Sequence, residues 1–134
     1  MSDAEEFGKI VDKLVGCECE RSLATNSIKL RFKTRIDPRG KQYIWIDPPW
    51  QLHGPIGLVT SSAEYDDARF EEWSAYFAPL HRTVLTSWRV TNDRGVVFEF
   101  VNGYRIILPP SSGKRRKEDW YSHWYARDHE SKLH

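Results

Sequence analysis

Two cysteines, five histidines and several paired carboxylates are the residues of this sequence whose types can do chemistry. Cys17 and Cys19 are two positions apart, which on a strand places both thiols on one face about 7 Å apart, too far for an easy disulfide. A zinc site needs a second pair of ligands, and no histidine lies near these cysteines in the sequence. The spacing therefore favours two thiols buried in the core of a protein from a reducing compartment.

The histidines do not form a metal-ligand pattern. They are His53, His81, His123, His129 and His134. No two of them have the i,i+4 helical spacing with an intervening glutamate that zinc hydrolases use. The sequence also has no phosphate-binding glycine loop, and Ser61-Ser62 lies in no nucleophile-elbow context. We therefore expect a protein that is not an enzyme, with no catalytic residues, no cofactor and no metal.

A short central segment concentrates carboxylates beside a tryptophan. Its members are Glu64, Asp66, Asp67, Glu71, Glu72 and Trp73. Adjacent carboxylates on a helix point in different directions, so one interpretation is an ordinary solvated face. The other is an acidic docking surface for a basic partner, with Trp73 as its anchor.

A basic run gives a competing signal. Lys114-Arg115-Arg116-Lys117 stands beside Trp120 and Trp124, and such a mixture is typical of a nucleic-acid-binding strip. A solvated loop beside core tryptophans explains it equally. The net charge of +1 provides no overall field that favours nucleic acid or an anionic membrane. The charges nevertheless form blocks, with six bases and two acids over residues 27–48, so separate acidic and basic patches are expected.

The elements that must position these groups follow from apolar periodicity. Phe7, Ile10, Val11 and Leu14 predict a helix over 4–13, which Gly16 would end. A second helix is predicted over 65–77, ended by Pro79. Alternating or apolar runs predict strands over 17–23, 27–34, 42–46, 56–60, 83–91, 96–101 and 104–108, and a last strand or short helix around 120–125.

Two turn signals connect these strands. Asp37-Pro38-Arg39-Gly40 predicts a turn before the strand over 42–46. Asn102-Gly103 predicts a hairpin with two possible registers. A three-residue loop with a glycine bulge, which pairs Phe98 with Ile106, is preferred to a two-residue turn, which pairs Phe100 with Arg105.

The sequence also contains a faint internal repeat. The segment from Tyr43 to Pro49 returns 61 residues later as Tyr104 to Pro110, each after an alternating apolar segment. This predicts one domain over 1–134 with an α+β fold. It would contain two antiparallel β-meanders from a rough internal duplication (8–60 and 78–126), a short N-terminal helix and a central helix. The predicted core includes Phe32, Trp45, Phe98, Phe100 and Ile106.

The layout resembles small bacterial immunity proteins of polymorphic toxin systems, of the contact-dependent inhibition or type VI secretion type. The resemblance spans most of residues 8–125 and uses short motifs. These are Leu14-Val15-Gly16, the segment Ile46-Asp47-Pro48-Pro49-Trp50, and Glu118-Asp119-Trp120. It implies a non-enzymatic, cytoplasmic protein that binds one toxin tightly and blocks it. The acidic start, Met1 to Glu6, has no features of a signal peptide, which agrees with a cytoplasmic location.

The sequence thus leads to one main hypothesis, a toxin inhibitor whose partner-binding residues lie in the acidic segment. The basic run over 114–117 is the other candidate for the contact, in this case with an acidic toxin. The alternative is an RNA- or single-strand-binding module that uses residues 114–117 and the nearby tryptophans. A small enzyme with an unrecognised site is a third class. No membrane partner is expected, and the oligomeric state stays open.

Overall fold

The computed structural model describes residues 3–33, 41–93, 95–109 and 124–127. Within these residues two α-helices and nine strands form an α+β fold, as predicted. In chain order they are α1 (Asp3–Leu14), β1 (Cys19–Ala24), β2 (Ser27–Phe32), β3 (Gln42–Ile46), β4 (Gln51–His53), β5 (Leu58–Ser61), α2 (Phe70–Ser74), β6 (Leu85–Val90), β7 (Val96–Phe100), β8 (Arg105–Leu108) and β9 (Trp124–Arg127). The predicted turn at 37–40 and the basic run at 114–117 lie outside the described residues.

The strands form two antiparallel sheets. The first has the order β1-β2-β3-β9 and the second the order β5-β4-β8-β7-β6. Each sheet contains a meander of three consecutive strands, β1-β2-β3 in the first and β6-β7-β8 in the second. Residues 28–32 and 96–100 therefore belong to the middle strands of equivalent meanders, as the repeat predicts.

The third strands of the two meanders, β3 and β8, are equivalent with a shift of one residue from the sequence repeat. Ile44 pairs with Leu30 and Ile106 pairs with Phe98, so these isoleucines, 62 positions apart, are equivalent core residues. The sequence repeat, with its offset of 61, instead aligns Trp45 with Ile106. A one-residue shift along a strand moves a side chain to the opposite face. Trp45 is accordingly half-buried outside the core cluster, and its assignment to the core was wrong.

One apolar cluster draws its buried side chains from α1, both sheets and the central segment. Phe32, Phe98, Phe100 and Ile106 are buried in it, as predicted. The helix α1 packs along β9, where the rings of Phe7 and Trp124 have centroids 5.9 Å apart. Burying this much aromatic and aliphatic surface is the main source of stability for a chain of this size.

Glycines end α1 and shape the β7–β8 hairpin at the predicted positions. Gly16, with a φ of +90°, follows the last turn of α1. In the hairpin, the amide of Phe100 donates to the carbonyl of Tyr104 at 2.9 Å, and Gly103 has a φ of +85°. Phe98 pairs with Ile106, which confirms the predicted register.

The central helix differs from its prediction over 65–77. Only Phe70–Ser74 is α-helical, and short 3-10 helices at Ser62–Glu64, Asp67–Arg69 and Ala75–Leu80 surround it. The extended backbone of Asp66 starts a new turn, because its side chain accepts a hydrogen bond from the amide of Ala68 instead of continuing a helix. Pro79 does not end the segment but lies inside the last 3-10 helix.

Candidate functional site

An open cleft of about 210 Å³ lies between β5 and the segment that contains α2. It is lined by Thr60, Glu64, Asp66, Arg69, Glu72, Trp73 and Tyr76. Four of the six predicted partner-binding residues therefore converge on one site, namely Glu64, Asp66, Glu72 and Trp73. Asp67 and Glu71 do not line it; both are exposed on the same segment outside the cleft.

The cleft is negatively charged. Three carboxylates face one guanidinium, which gives a formal charge of −2. Arg69 donates to Glu72 from Nε at 3.1 Å and from Nη2 at 2.7 Å, and the two side chains are 68% and 70% exposed. Because exposed ion pairs contribute little free energy, a cation from another molecule can replace Arg69 at small cost.

A chain of hydrogen bonds fixes the inner wall of the cleft. The indole Nε1 of Trp73 donates to Thr60 Oγ1 at 3.0 Å, and that hydroxyl donates to Glu64 Oε2 at 2.9 Å. The same carboxylate oxygen accepts from the amide of Ser61 at 3.1 Å. The carboxylate of Glu64 is thus held in one position before any partner arrives.

Trp73 forms the floor of the cleft. It is 5% exposed and packs against the rings of Trp50, Tyr65 and Phe77 at centroid distances of 5.8, 5.4 and 5.1 Å. Trp73, the expected anchor, therefore lies beneath the surface of the cleft. Of the two rings that line the cleft, that of Tyr76 is the exposed one; Tyr76 is 51% exposed and lies three residues later along the segment.

The remaining carboxylates of the segment have local roles. Asp66 Oδ1 accepts from the amide of Ala68 at 3.0 Å and so caps a 3-10 helix while lining the cleft. Asp67 Oδ1 accepts from the hydroxyl of Tyr65 at 2.9 Å, and this bond to the protonated form raises the pKa of Tyr65.

A second cavity, of about 250 Å³, lies beside Trp50, Ser62 and Ile107. The hydroxyl of Ser62 accepts a hydrogen bond from the amide of Trp50 at 3.1 Å, so this serine holds the backbone of the chain in place. Its cavity is lined by no histidine, cysteine or carboxylate among the described residues. The neighbouring Ser61 donates from its amide to Glu64 at 3.1 Å.

Both cysteines are free thiols, and only Cys19 is buried. Its sulfur donates to the carbonyl of Leu80 at 3.2 Å, and burial raises the pKa of this thiol to about 12. Cys17 is half-buried, and its pKa is also raised by desolvation. The prediction of buried core thiols is thus confirmed for Cys19 and only partly correct for Cys17.

Metal-binding side chains do not gather within the part of the chain that the structure describes. No three histidine, cysteine, aspartate or glutamate side chains come together there in a group that could hold an ion. His53 faces Arg105, and its pKa is lowered by desolvation and by that positive charge. His123, His129 and His134 lie outside the described residues.

The alternative nucleic-acid strip is described only at Trp124. Residues 114–117 and Trp120 lie outside the described residues. Trp124 is buried in β9, with its ring centroid 5.5 Å from that of Phe98 and 6.0 Å from that of Trp88. It therefore belongs to the core and offers no face for a nucleic-acid base.

Comparison of the chain with protein-family models, curated proteins and solved structures found no match. Among the described helices, none combines the length and the apolar character that crossing a membrane requires. The fold and the cleft define a small α+β domain with a preformed acidic recess.

Proposed function

We propose that this protein is a non-enzymatic inhibitor that binds a cognate bacterial toxin and neutralises it by direct contact, in the manner of an immunity protein. The observation that carries the proposal is the convergence of Glu64, Asp66 and Glu72 on one open cleft of formal charge −2. We further propose that it acts in the cytoplasm, which the two unpaired thiols support.

The partner surface that fits this cleft is basic. Toxins that act on nucleic acids or nucleotides carry positively charged active-site clefts, and an acidic recess steers such a surface into contact. The volume of the cleft suits one lysine or arginine side chain more than a folded element. We expect that side chain to displace Arg69 from Glu72 and to bind between Glu72 and the fixed carboxylate of Glu64.

Tyr76 supplies the apolar contact beside this charged site. Exposed tyrosines are frequent binding hot spots, since they bury a large rigid surface at low entropic cost. Tyr76 lies at the cleft and is 51% exposed. Trp73 lies beneath the cleft and contributes to partner binding by shaping the floor of the cleft.

Two charge-matched variants test the proposal. The pair Asp66→Asn and Glu72→Gln neutralises the cleft, and the asparagine can still cap the 3-10 helix. The pair Asp67→Asn and Glu71→Gln removes the same charge outside the cleft. The measurement is the affinity for the proposed cognate toxin, sought among the proteins encoded next to this one, determined for both variants across a salt series.

We expect the cleft pair to lose about 2–5 kcal/mol of binding free energy, and the outer pair to change mainly the on-rate. Binding by the wild-type protein should weaken with salt, and the cleft pair should show a smaller dependence. Equal effects of the two pairs would remove the cleft from the interface. Absence of any complex with a neighbour-encoded protein would contradict the inhibitor function itself.

A further inference from the structure

The first sheet presents two rows of aromatic and basic side chains on the face opposite the core. Directly paired residues of antiparallel strands point to the same face. The pairing places Ser22, Lys29, Trp45 and Tyr125 in one row across β1, β2, β3 and β9, and Glu20, Arg31, Tyr43 and Arg127 in the next. The alternating neighbours Ile28, Leu30, Ile44 and Ala126 are buried in the core.

Tyr125 contacts the other two rings of this face, those of Trp45 and Tyr43. Trp45 and Tyr125 lie nearly parallel, at an interplanar angle of 14° and a centroid distance of 6.4 Å, while Tyr43 meets Tyr125 edge-on at 6.2 Å. The indole Nε1 of Trp45 donates to Asp47 Oδ1 at 2.7 Å, and Ser27 donates to the same oxygen at 2.6 Å. The three rings therefore form an aromatic platform in which a hydrogen bond fixes the orientation of Trp45.

Cations lie directly against this platform. Lys29 Nζ is 4.6 Å from the centroid of the Tyr43 ring, and the guanidinium carbon of Arg127 is 4.7 Å from that of Tyr125. Arg31 is exposed in the row between Glu20 and Tyr43. Arg127 is also held by the Phe7 ring, 5.5 Å from its guanidinium carbon, and donates to the carbonyl of Ala126 at 3.1 Å. Cation–π contacts at partly exposed sites are weak, so Lys29 can move onto an anion at small cost.

The acids near the platform are already engaged. Asp47 accepts the two hydrogen bonds described above, and Glu20, on the outer strand β1, pairs with Lys33 at 3.4 Å. With these two acids counted against Lys29, Arg31, Lys33 and Arg127, the described residues of this face carry a formal charge of +2. Three bases of the block over residues 27–48, namely Lys29, Arg31 and Lys33, thus lie on one face of the first sheet.

We propose that this face binds single-stranded nucleic acid, with bases stacked on Trp45, Tyr43 and Tyr125 and phosphates bound by the adjacent cations. The three rings are each half-buried, so part of each remains accessible. Sheet surfaces with accessible rings between basic side chains suit unpaired bases, because every base offers a π-face and every nucleotide a phosphate. An acidic peptide would use only the cations and leave the rings unexplained. The proposal uses none of the residues of the acidic cleft, so it is independent of toxin binding.

The test is the binding of the full-length protein to a fluorescently labelled oligouridylate and an oligothymidylate of about ten nucleotides. We expect salt-dependent binding that Trp45→Ala weakens by about tenfold or more and Trp45→Phe weakens less. The pair Lys29→Ala and Arg127→Ala should lower the slope of log K against log salt by about 1.4, the value for two phosphate contacts on a single strand. Arg89→Ala, on β6 of the second sheet, is the control for loss of a positive charge elsewhere and should have little effect.

Competition with inorganic polyphosphate and with polyglutamate separates stacking from charge. We expect the oligonucleotides to be displaced by unlabelled oligonucleotide far more readily than by either polyanion. Equal displacement by a polyanion, unchanged binding of the Trp45→Ala variant in its folded form, or no binding of the wild-type protein at low salt would overturn the proposal. If Trp45→Ala does not fold, the Lys29→Ala and Arg127→Ala pair and Trp45→Phe still test the proposal. Unchanged oligonucleotide binding by both of these variants would contradict binding at this face.

Discussion

The indole of Trp73 lies 3.0 Å from the hydroxyl oxygen of Thr60 and donates a hydrogen bond to it. That hydroxyl in turn donates a hydrogen bond to the carboxylate of Glu64 at the surface of the cleft. The buried floor and the charged wall of the cleft are therefore one hydrogen-bonded unit. The same small group of residues determines both the local stability and the position of the carboxylate that a partner would meet.

Thr60→Val tests this unit. Valine keeps the shape of threonine but leaves the buried Trp73 Nε1 without its acceptor, and we expect a loss of about 1–3 kcal/mol in the free energy of unfolding. Thr60→Ser, which retains the hydroxyl, is the matched control and should lose less. Urea denaturation followed by circular dichroism measures both, and equal losses would show that the hydroxyl contributes nothing.

Phe98→Ala tests the core beneath the second sheet. Phe98 is fully buried and packs against Trp124 and Trp88, so we expect a loss of about 3–5 kcal/mol. Val101→Ala, at a position that is 65% exposed in the following turn, should change the stability by less than about 0.5 kcal/mol. A loss below about 1 kcal/mol for Phe98→Ala would contradict its burial in a closely packed core.

The thiol of Cys19 makes stability depend on pH in the alkaline range. Its pKa is about 12 in the folded protein against 9.0 in the unfolded chain, so above pH 9 the unfolded state loses this proton first. The stabilisation is therefore complete below pH 9 and falls by at most about 1.4 kcal/mol per pH unit as the pH rises toward 12. Measured between pH 8 and 10, the free energy of unfolding should decline less steeply in Cys19→Ala than in the wild-type protein. Parallel curves for the two proteins would mean that the thiol ionises freely when folded.

Strong periodicity made much of the fold predictable. The alternation of Ile28, Leu30 and Phe32 and the Asn102-Gly103 turn each agree with the observed strands and register. The strand β4 was missed because it has only three residues, bounded by Pro48-Pro49 on one side and Gly54 on the other, too few to show a period. The predicted repeat was one residue out of register in β3 and β8 because it was aligned on identical residue types. The alternation of inward and outward side chains, which decides the face of a strand, gives the correct alignment.

The acidic cleft was predictable in composition but not in shape. A regular helix over 65–77 would have spread its carboxylates around the axis, whereas the break at Asp66 and the 3-10 turns bring Glu64, Asp66 and Glu72 to one side. Sequence spacing alone could not decide whether Trp73 or Tyr76 faces solvent, since both are aromatic and three positions apart. The contacts of Trp50 and Phe77 with Trp73 settle that choice.

The aromatic platform was missed because its residues come from strands distant in the sequence. Lys29 and Arg31 flank the buried Leu30, and Tyr43 and Trp45 flank the buried Ile44. The platform residues therefore occupy the outward positions of strands whose inward positions predict the core. Tyr125 joins them only through the pairing of β3 with β9, across about eighty residues of chain.

Protection of growing cells against the cognate toxin tests the central claim most directly. Cells that express the proposed cognate toxin would carry the wild-type protein, the cleft pair Asp66→Asn and Glu72→Gln, or the outer pair Asp67→Asn and Glu71→Gln, at equal levels of folded protein. We predict that the wild-type protein and the outer pair restore growth and that the cleft pair does not, because only the cleft residues would contact the toxin. Full protection by the cleft pair would contradict the account.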